Sequence, residues 1–446
     1  MTLIKEKNNS IDYLRSIGSV RDTTSEIFNY IKTNGKGKYF SLNLEKMPDV
    51  AEFVVEKIIK PDYPTTNDLG KIPPHGRWQH LDCLDINRME KIIQTWKKDP
   101  TVDEIEICRR IIDLFVFSVL IDAGAGNTWK YSETETNLKI GRSEGLAVAS
   151  YYMFVKGQLS NDSKNDPYKV HGERLIKWDL EKDFKPSFQI SDENEMTGLE
   201  GRLKLVVSLG EALVSNKEIF GEDARPGNII DYLYKQRLTE YESTTIDLEQ
   251  VWEALMTGLV TIWPKSRMLV EGQPLGDCWI LDTIPEKTEF IVTFHKLTQW
   301  LCYSLLVPMQ KYGYQFTILN TDLQTGLPEY RNGGLFYDLD VIQLLPSVYE
   351  RGVEKTKEIE TSPMKCAYEI PTFEPHDGAI VEWRCLTIGL LDCLLPLVNE
   401  KLGYELQLAQ LIEAGSWKGG RVIAMEKRPK INGGPPINLL SDGTVF

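Results

Sequence analysis

The feature that most constrains this chain is the spacing of its apolar residues, which recur with helical rather than strand periodicity in one stretch after another. From Pro48 to Lys60, residues Val50, Phe53, Val54 and Ile58 fall on one face, and Pro61 is the expected stop. Ile86 to Lys98 repeats the pattern with Ile86, Met89, Ile93 and Trp96. Thr101 and Glu104 have capping-box spacing ahead of an apolar helix that runs to about Ile121, and Thr197 and Glu200 repeat it ahead of GRLKLVVSLGEALVSN. Further helices are expected from Asp247 to Trp263, ended by Pro264, from Lys296 to Lys311, from Ala379 to Val398 and from Tyr404 to Ala414. Strand signals are few, Tyr314 to Leu319 being the best. The expected fold is therefore mainly α, a multi-helix globular body with small β elements. A length of 446 residues suggests three parts. These are 1–100 with the HGRWQH loop, 101–320 as a central helical core, and 321–446 with the PEYRNGG loop, a buried helix and a Gly/Pro-rich tail.

Charge narrows the partners. Lys plus Arg is 51 and Asp plus Glu is 65, a formal net charge of −14. A nucleic-acid binder needs a basic face, which this balance does not supply, so no nucleic-acid partner is expected. A local basic pocket for one small phosphate survives the argument. The seven cysteines, at 83, 108, 278, 302, 366, 385 and 393, are odd in number, lack C-x-x-C spacing and several sit in apolar runs. That usage fits reduced thiols in a reducing compartment. The opening MTLIKEKNNS has no apolar core or cleavage site, so no secretory leader is expected. The apolar stretch Ile111 to Ile121 is broken by Asp113 and too short to span a bilayer. These signs point to a soluble, cytoplasmic protein with no membrane partner. A nuclear location and self-association into a homo-oligomer are left open.

Several polar constellations could carry chemistry. Asp122 follows a buried helix in LIDAGAGNTWKY, beside glycines that permit close backbone approach and ahead of Trp129. A half-desolvated carboxylate suits acid–base work; a glycine-capped helix end with a surface aspartate is the competing reading. Arg142, Ser143, Glu144 and Gly145 open the next helix, with Ser143 a good N-cap and Arg142 opposed to the helix dipole unless an anion or Glu144 pairs with it. In HGRWQH, His75, Arg77, Trp78 and His80 crowd together; with Asp82 the two histidines could hold a metal, or Arg77 could fork a phosphate, or Trp78 could clamp the loop to the core. Glu329, Arg331, Asn332 and Asp338 surround a Gly-Gly pair and read as a site-lining loop or as a self-satisfied turn. His295 and Gln299 are four apart and expected on one helix face. Glu382 and Arg384 lie in an apolar helix and cannot face each other at i,i+2, so partners such as Arg331, Asp338 or Asp442 are expected.

The chain has no GxSxG elbow, P-loop, HExxH or dinucleotide-binding GxGxxG. The strings PPHGRWQH, LIDAGAGNTWKY, GRSEGLAVASYYMF, ARPGNIIDYL, FHKLTQWLCYSL, GLPEYRNGGLFYDL, VEWRCLTIGLLD and GPPINLLSDGTVF, in this order, resemble the uracil catabolism protein 4 family from about residue 10 onward. The resemblance implies a part in a route that degrades uracil through nucleotide and ribosylurea-type intermediates. A second, narrower likeness covers Phe117 to Met153 and Gly198 to Tyr303. There the chain is similar to the queuosine salvage family of helical nucleotide N-glycosidases. That likeness puts the family's acidic residue on Asp122 and its tryptophan on Trp129. It departs at Ala123 to Gly126, where the family has an aromatic-rich loop. It departs again near Thr298 and Gln299, where the second carboxylate is missing, so Glu329 or Asp338 would substitute.

Together these imply an enzyme, an N-glycosidase-type hydrolase that splits a ribosylurea or its 5′-phosphate. Asp122 would stabilise the cationic sugar or act as base, with Glu329 and Asp338 as further carboxylates. Trp129 would stack on the planar leaving group, and Arg77 and Arg142 would hold phosphate. His75, Trp78, Glu144, His295, Gln299, Arg331, Asn332, Glu382 and Arg384 would line the substrate site. No cofactor is expected, with a metal ion at His75, His80 and Asp82 as the alternative. The rival functions are a metal-dependent amidohydrolase and a non-catalytic nucleotide-binding component of the same pathway.

Overall fold

A computed structural model describes residues 10–122, 124–126, 128–263, 267–359 and 369–440. The fold is mainly α, as the periodicity requires, and among the described residues the strands form two-stranded pairs. Among the described residues no helix is long and apolar enough to cross a membrane. Pro264, Cys366 and the tail Ser441–Asp442–Gly443 lie outside the described residues.

The described residues divide into two units of interleaved segments: those up to His75, Asp277–Lys296 and Gln324–Leu440 in the first, Gly76–Gly276 and Leu297–Leu323 in the second. This differs from the consecutive division 1–100, 101–320 and 321–446, because strand pairing and helix packing join segments far apart in sequence. Phe40–Leu42, for example, pairs antiparallel with Ile342–Leu344 in the first unit. In the second, Thr245–Asp247 runs parallel to Thr317–Leu319, the part of the expected strand that forms.

The first unit is built on the 25-residue helix Gly378–Leu402, almost wholly buried along its first half. It passes the expected end at Val398 and stops at Gly403, whose φ of 61° is the left-handed cap conformation. Ile17–Asn34 packs against it. The helix Tyr330–Asp338 lies against Trp417–Lys427 so closely that a Cβ on Gly420 would stand 2.0 Å from the Arg331 carbonyl oxygen. Pro61 does not end the helix that begins at Met47. A π turn over Phe53–Ile59 hands the Lys60 N–H to Val55 O, and Pro61, which has no N–H to lose, sits in the following turn. The expected helix from Tyr404 to Ala414 is displaced. Asn399 ties down Leu406 through its N–H and carbonyl, so helix resumes only at Leu408 and continues through a π turn to Lys427.

The second unit centres on the buried helix Glu104–Leu120. Its cap is Asp103, accepting from Glu106 N at 2.7 Å; Thr101 instead binds Asp99. Asp113, mid-helix and fully buried, accepts from Arg225 and from Gly227 N, and Arg225 also pairs with Glu106. Buried charges are thus matched within the unit. Around this helix pack Arg142–Val155 and Leu199–Ser215. The latter starts after Gly198 (φ 72°) with no side-chain cap, so the Thr197/Glu200 capping box does not form. Leu248–Leu259 does carry a full capping box, from Asp247 and Gln250.

Candidate functional site

Asp122 lies just past the C-terminus of the helix Glu104–Leu120, where the chain turns out of the core. Its side chain is only 10% exposed, so the carboxylate is held inside the second unit rather than in bulk solvent. Three groups among the described residues are seen to bind it. Ser143 Oγ donates to Oδ1 at 2.6 Å, Trp300 Nε1 donates to Oδ2 at 3.2 Å, and Arg77 Nη1 stands 2.8 Å from Oδ2. Two directed donors and a guanidinium satisfy an ionised carboxyl, not a protonated one. The loop bearing Asp122 is gripped from behind by Arg202, whose guanidinium donates to the carbonyls of Ile121, Gly124 and Thr197. Burial lowers the Arg202 guanidinium to about 10, against the opposing pull of Asp122.

Local sequence explains the placement. Arg77 is the first residue of the short helix Arg77–Leu81, and its N–H is held by Ser304 Oγ at 3.1 Å. Its Nε donates to Ser118 Oγ at 2.7 Å, and Ser118 accepts from Ser150 in turn. Ser143 does not cap its helix; Arg142–Val155 follows Gly141, and Arg142 itself has a φ of 58°. Freed from capping, Ser143 Oγ reaches Asp122, Arg77 Nη1 (3.1 Å) and His80 Nδ1 (3.0 Å). This start of the helix is pressed onto the hairpin Lys130–Glu133/Leu138–Gly141. A Cβ on Gly145 would stand 2.3 Å from Ile140 O and 3.0 Å from the Trp129 ring, so only glycine permits the approach.

The remaining expected residues have other partners. Trp129 is not a stacking platform: its indole is 1% exposed, lies edge-on to Phe188 and donates to Phe188 O at 2.8 Å. Trp300 is the indole that touches Asp122. Arg77 is no phosphate fork either, being fully buried and committed to Asp122, Ser118 and Ser143. Burial lowers its basicity, while Asp122, then Glu144 and Cys83, oppose the shift. Trp78 clamps its loop, donating to Asp82 at 2.9 Å and packing on Phe115 and Tyr312.

The alternative metal set is not assembled: His75 Nδ1 faces Glu413 at 2.5 Å, Asp82 accepts from Trp78 and Met89 N, and His80 faces Arg77 and Ser143. Among the described residues no three potential ligands gather. Arg142 and Glu144 flank Ser143 and remain half-buried at the helix start.

Glu329 and Asp338 have partners of their own. Both belong to the first unit, where Glu329 caps the helix Tyr330–Asp338 through the N–H groups of Arg331 and Asn332, and Asp338 forms a two-pronged pair with Arg428. Burial pushes the Glu329 carboxyl up, against those backbone donors. Arg331 donates to Gly433 O, and Asn332 links Leu327 O to Ser416. Glu382 accepts from the successive N–H groups of Lys38, Tyr39 and Phe40 and from Thr283, and Arg384 takes Asp277 in a two-pronged pair at 2.8 and 2.6 Å. These, not Arg331 or Asp338, are the partners the two buried charges needed. His295 has a φ of 44° and precedes its helix, so it does not share a helical face with Gln299; its Nε2 donates to Leu14 O at 2.7 Å. Gln299 is fully buried.

Ser118, Trp300 and Arg202 were not legible as site residues. Each has a sequence trace in retrospect: a serine inside an apolar helix, an indole in FHKLTQWLCYSL, and an arginine one turn after a glycine.

The family described as "Protein of unknown function (DUF1688)" matches residues 13–446. The chain belongs to it. It is 56% identical over 447 residues to "Uracil catabolism protein 4" of Lachancea kluyveri, covering 98% of this chain and 99% of that protein. It is 41% identical over 413 residues to "Protein urg3" of Schizosaccharomyces pombe, covering 92% of each. The likeness read from the eight ordered strings is thereby shown.

Proposed function

We propose that this protein serves uracil catabolism, and that it does so as a hydrolase that splits the N-glycosidic bond of a ribosylurea or its 5′-phosphate. The pathway rests on the name of the Lachancea relative, near-complete in its coverage. The reaction rests on one observation above all: Asp122 is a nearly buried carboxylate held by Ser143, Trp300 and Arg77.

Breaking the C1′–N bond sends its electron pair to the urea nitrogen and leaves positive charge on C1′ and the ring oxygen. A fixed carboxylate in a water-poor setting lowers the energy of that cation without reorganising. Water then adds its oxygen to C1′ and gives a proton to Asp122, and that same proton is passed on to the urea nitrogen, which leaves as neutral urea. Arg77 binds the carboxylate, Arg202 holds the loop that bears it, and Arg142, half-buried at its helix start, is the candidate for a phosphate group.

The test is to incubate purified protein with ribosylurea and phosphoribosylurea and to measure urea. Wild type should release urea and Asp122→Asn should be slower by about 100-fold or more. No urea from either substrate, or equal rates for the two proteins, would sink the reading. Dialysis against a chelator should leave the rate unchanged; its abolition would favour a metal-dependent amidohydrolase instead.

A further inference from the structure

Ser143 has one hydroxyl proton and two acceptors within reach, Asp122 Oδ1 at 2.6 Å and His80 Nδ1 at 3.0 Å. Arg77 Nη1 donates toward the same His80 nitrogen at 3.2 Å. Since arginine can only donate, Nδ1 is the acceptor and the neutral imidazole carries its proton on Nε2. The hydroxyl therefore bridges a carboxylate and a basic ring nitrogen, and either can take its proton.

We infer that Ser143 and His80 form a proton relay behind Asp122, with His80 the temporary store of the proton taken from water. The inference deepens the proposed hydrolysis and rests on it. The transfer balances. Water gives a proton to Asp122 as its oxygen bonds to C1′. The carboxyl O–H then passes that proton to Ser143 Oγ while the serine hydroxyl gives its own to His80 Nδ1. Asp122 is restored as a carboxylate beside Arg77, and His80 becomes an imidazolium that returns the proton, back through Ser143 and Asp122, to the urea nitrogen as urea leaves.

The neighbouring charges allow this. An imidazole ordinarily keeps a proton to about 2–3 pH units higher than a carboxyl. Arg77, on His80's own helix, opposes the imidazolium, whereas Asp122, at the end of Glu104–Leu120, favours it. Arg142 and Glu144, on either side of Ser143, are the oppositely charged groups of the Arg142–Val155 helix start. Lys296–Lys311 presents Trp300, whose uncharged ring lies 5.4 Å from the His80 ring. With the proton on Asp122 the Arg77 pair would be broken; with it on His80 the pair survives. Ser143 and His80 are thus positioning residues, acting through Asp122.

The experiment has two arms. In the first, the pH profile of urea release is compared for wild type, Ser143→Ala, Ser143→Thr, His80→Asn and Ser143→Ala with His80→Asn. The relay requires wild type to lose activity as His80 protonates. Either single loss should lower kcat about 10- to 100-fold at unchanged KM and remove that limb, and the double variant should be no worse than the single ones. Threonine, which keeps the hydroxyl, should restore both rate and limb. Retention of the limb in His80→Asn or in Ser143→Ala would overturn the relay. In the second arm, His80 is titrated by imidazole NMR, which five histidines make tractable. Asp122→Asn should lower the His80 midpoint, and much less so once Ser143 is alanine. This arm needs no turnover: if wild type releases no urea, the reaction reading fails, and the relay stands or falls on whether His80 responds to Asp122 through Ser143.

Discussion

Neutralising Asp277 should unfold the first unit more readily than a surface change could. Its carboxylate receives Arg384 at 2.8 and 2.6 Å, Trp279 Nε1 at 2.6 Å and Lys296 N at 3.1 Å, and both Asp277 and Arg384 are 2% exposed. The Arg384 guanidinium also lies 3.8 Å from the Phe294 ring centre. Asp277→Asn leaves a buried cation without its counter-charge and points an amide N–H₂ at donors. The expected loss is about 3–5 kcal/mol, a large part of the roughly 5–15 kcal/mol that holds a domain together. At a urea m-value of about 3 kcal/mol per M this moves the unfolding midpoint by about 1–1.7 M, read by circular dichroism. Replacing both partners, Asp277→Leu with Arg384→Met, leaves no unpaired charge and should cost less than the sum of the single changes. Acid supplies a further check. Burial alone would raise the Asp277 carboxyl, but Arg384, Trp279 and the Lys296 N–H outweigh it and hold the carboxyl well below the usual carboxylate range. Its contribution is therefore complete above the ordinary aspartate value of about 3.9 and fades as pH falls toward the depressed native one. The gap between wild type and Asp277→Asn should be flat from pH 8 to about 5 and narrow below about 4. A midpoint shift equivalent to less than about 0.5 kcal/mol, or additive single and double variants, would refute the reasoning.

Other outcomes follow from the same geometry. Gly420→Ala should destabilise the first unit by about 1–3 kcal/mol in urea unfolding, because its Cβ would meet the Arg331 carbonyl at 2.0 Å and backbone must move. Arg202→Met frees the carbonyls of Ile121, Gly124 and Thr197 around Asp122. Urea release should drop about 10- to 100-fold with little change in helix content by circular dichroism. His295 is buried neutral, its basicity lowered by burial against the opposing Leu14 carbonyl. The unfolded chain binds a proton there at a higher pH than the folded one, so this contribution is complete above about 6.5 and declines as pH falls below it. His295→Gln should flatten the decline in melting temperature between pH 7 and 5.

The helices were legible because amphipathic spacing survives whatever they pack against: Lys296–Lys311 forms as the periodicity requires, and Leu248–Leu259 keeps its cap at Asp247. Ends were less legible, since they depend on competition among nearby groups. Asp103 displaces Thr101 as a cap, and the π turn ahead of Pro61 removes the conflict that proline would otherwise create. At the site, Asp122 stood out because a carboxylate after an apolar helix is unusual in its own right. Its partners did not. Ser143 resembles a routine cap, and only the strained Arg142 backbone turns its hydroxyl toward Asp122. Trp129 and Trp300 are chemically equivalent in sequence; the hairpin buries one against Phe188, and the other reaches the carboxylate. Glu382 and Arg384 were legible as buried charges in need of partners, but those partners come from segments too distant in sequence to be paired by spacing.

The most direct test of the central claim is a crystal structure with a non-hydrolysable phosphoribosylurea analogue bound. The account predicts an Asp122 carboxylate oxygen within about 3–3.5 Å of the sugar C1′ or of the water aligned to attack it. A sugar bound elsewhere, with Asp122 still closed on Ser143, Trp300 and Arg77 and touching nothing of the ligand, would contradict it.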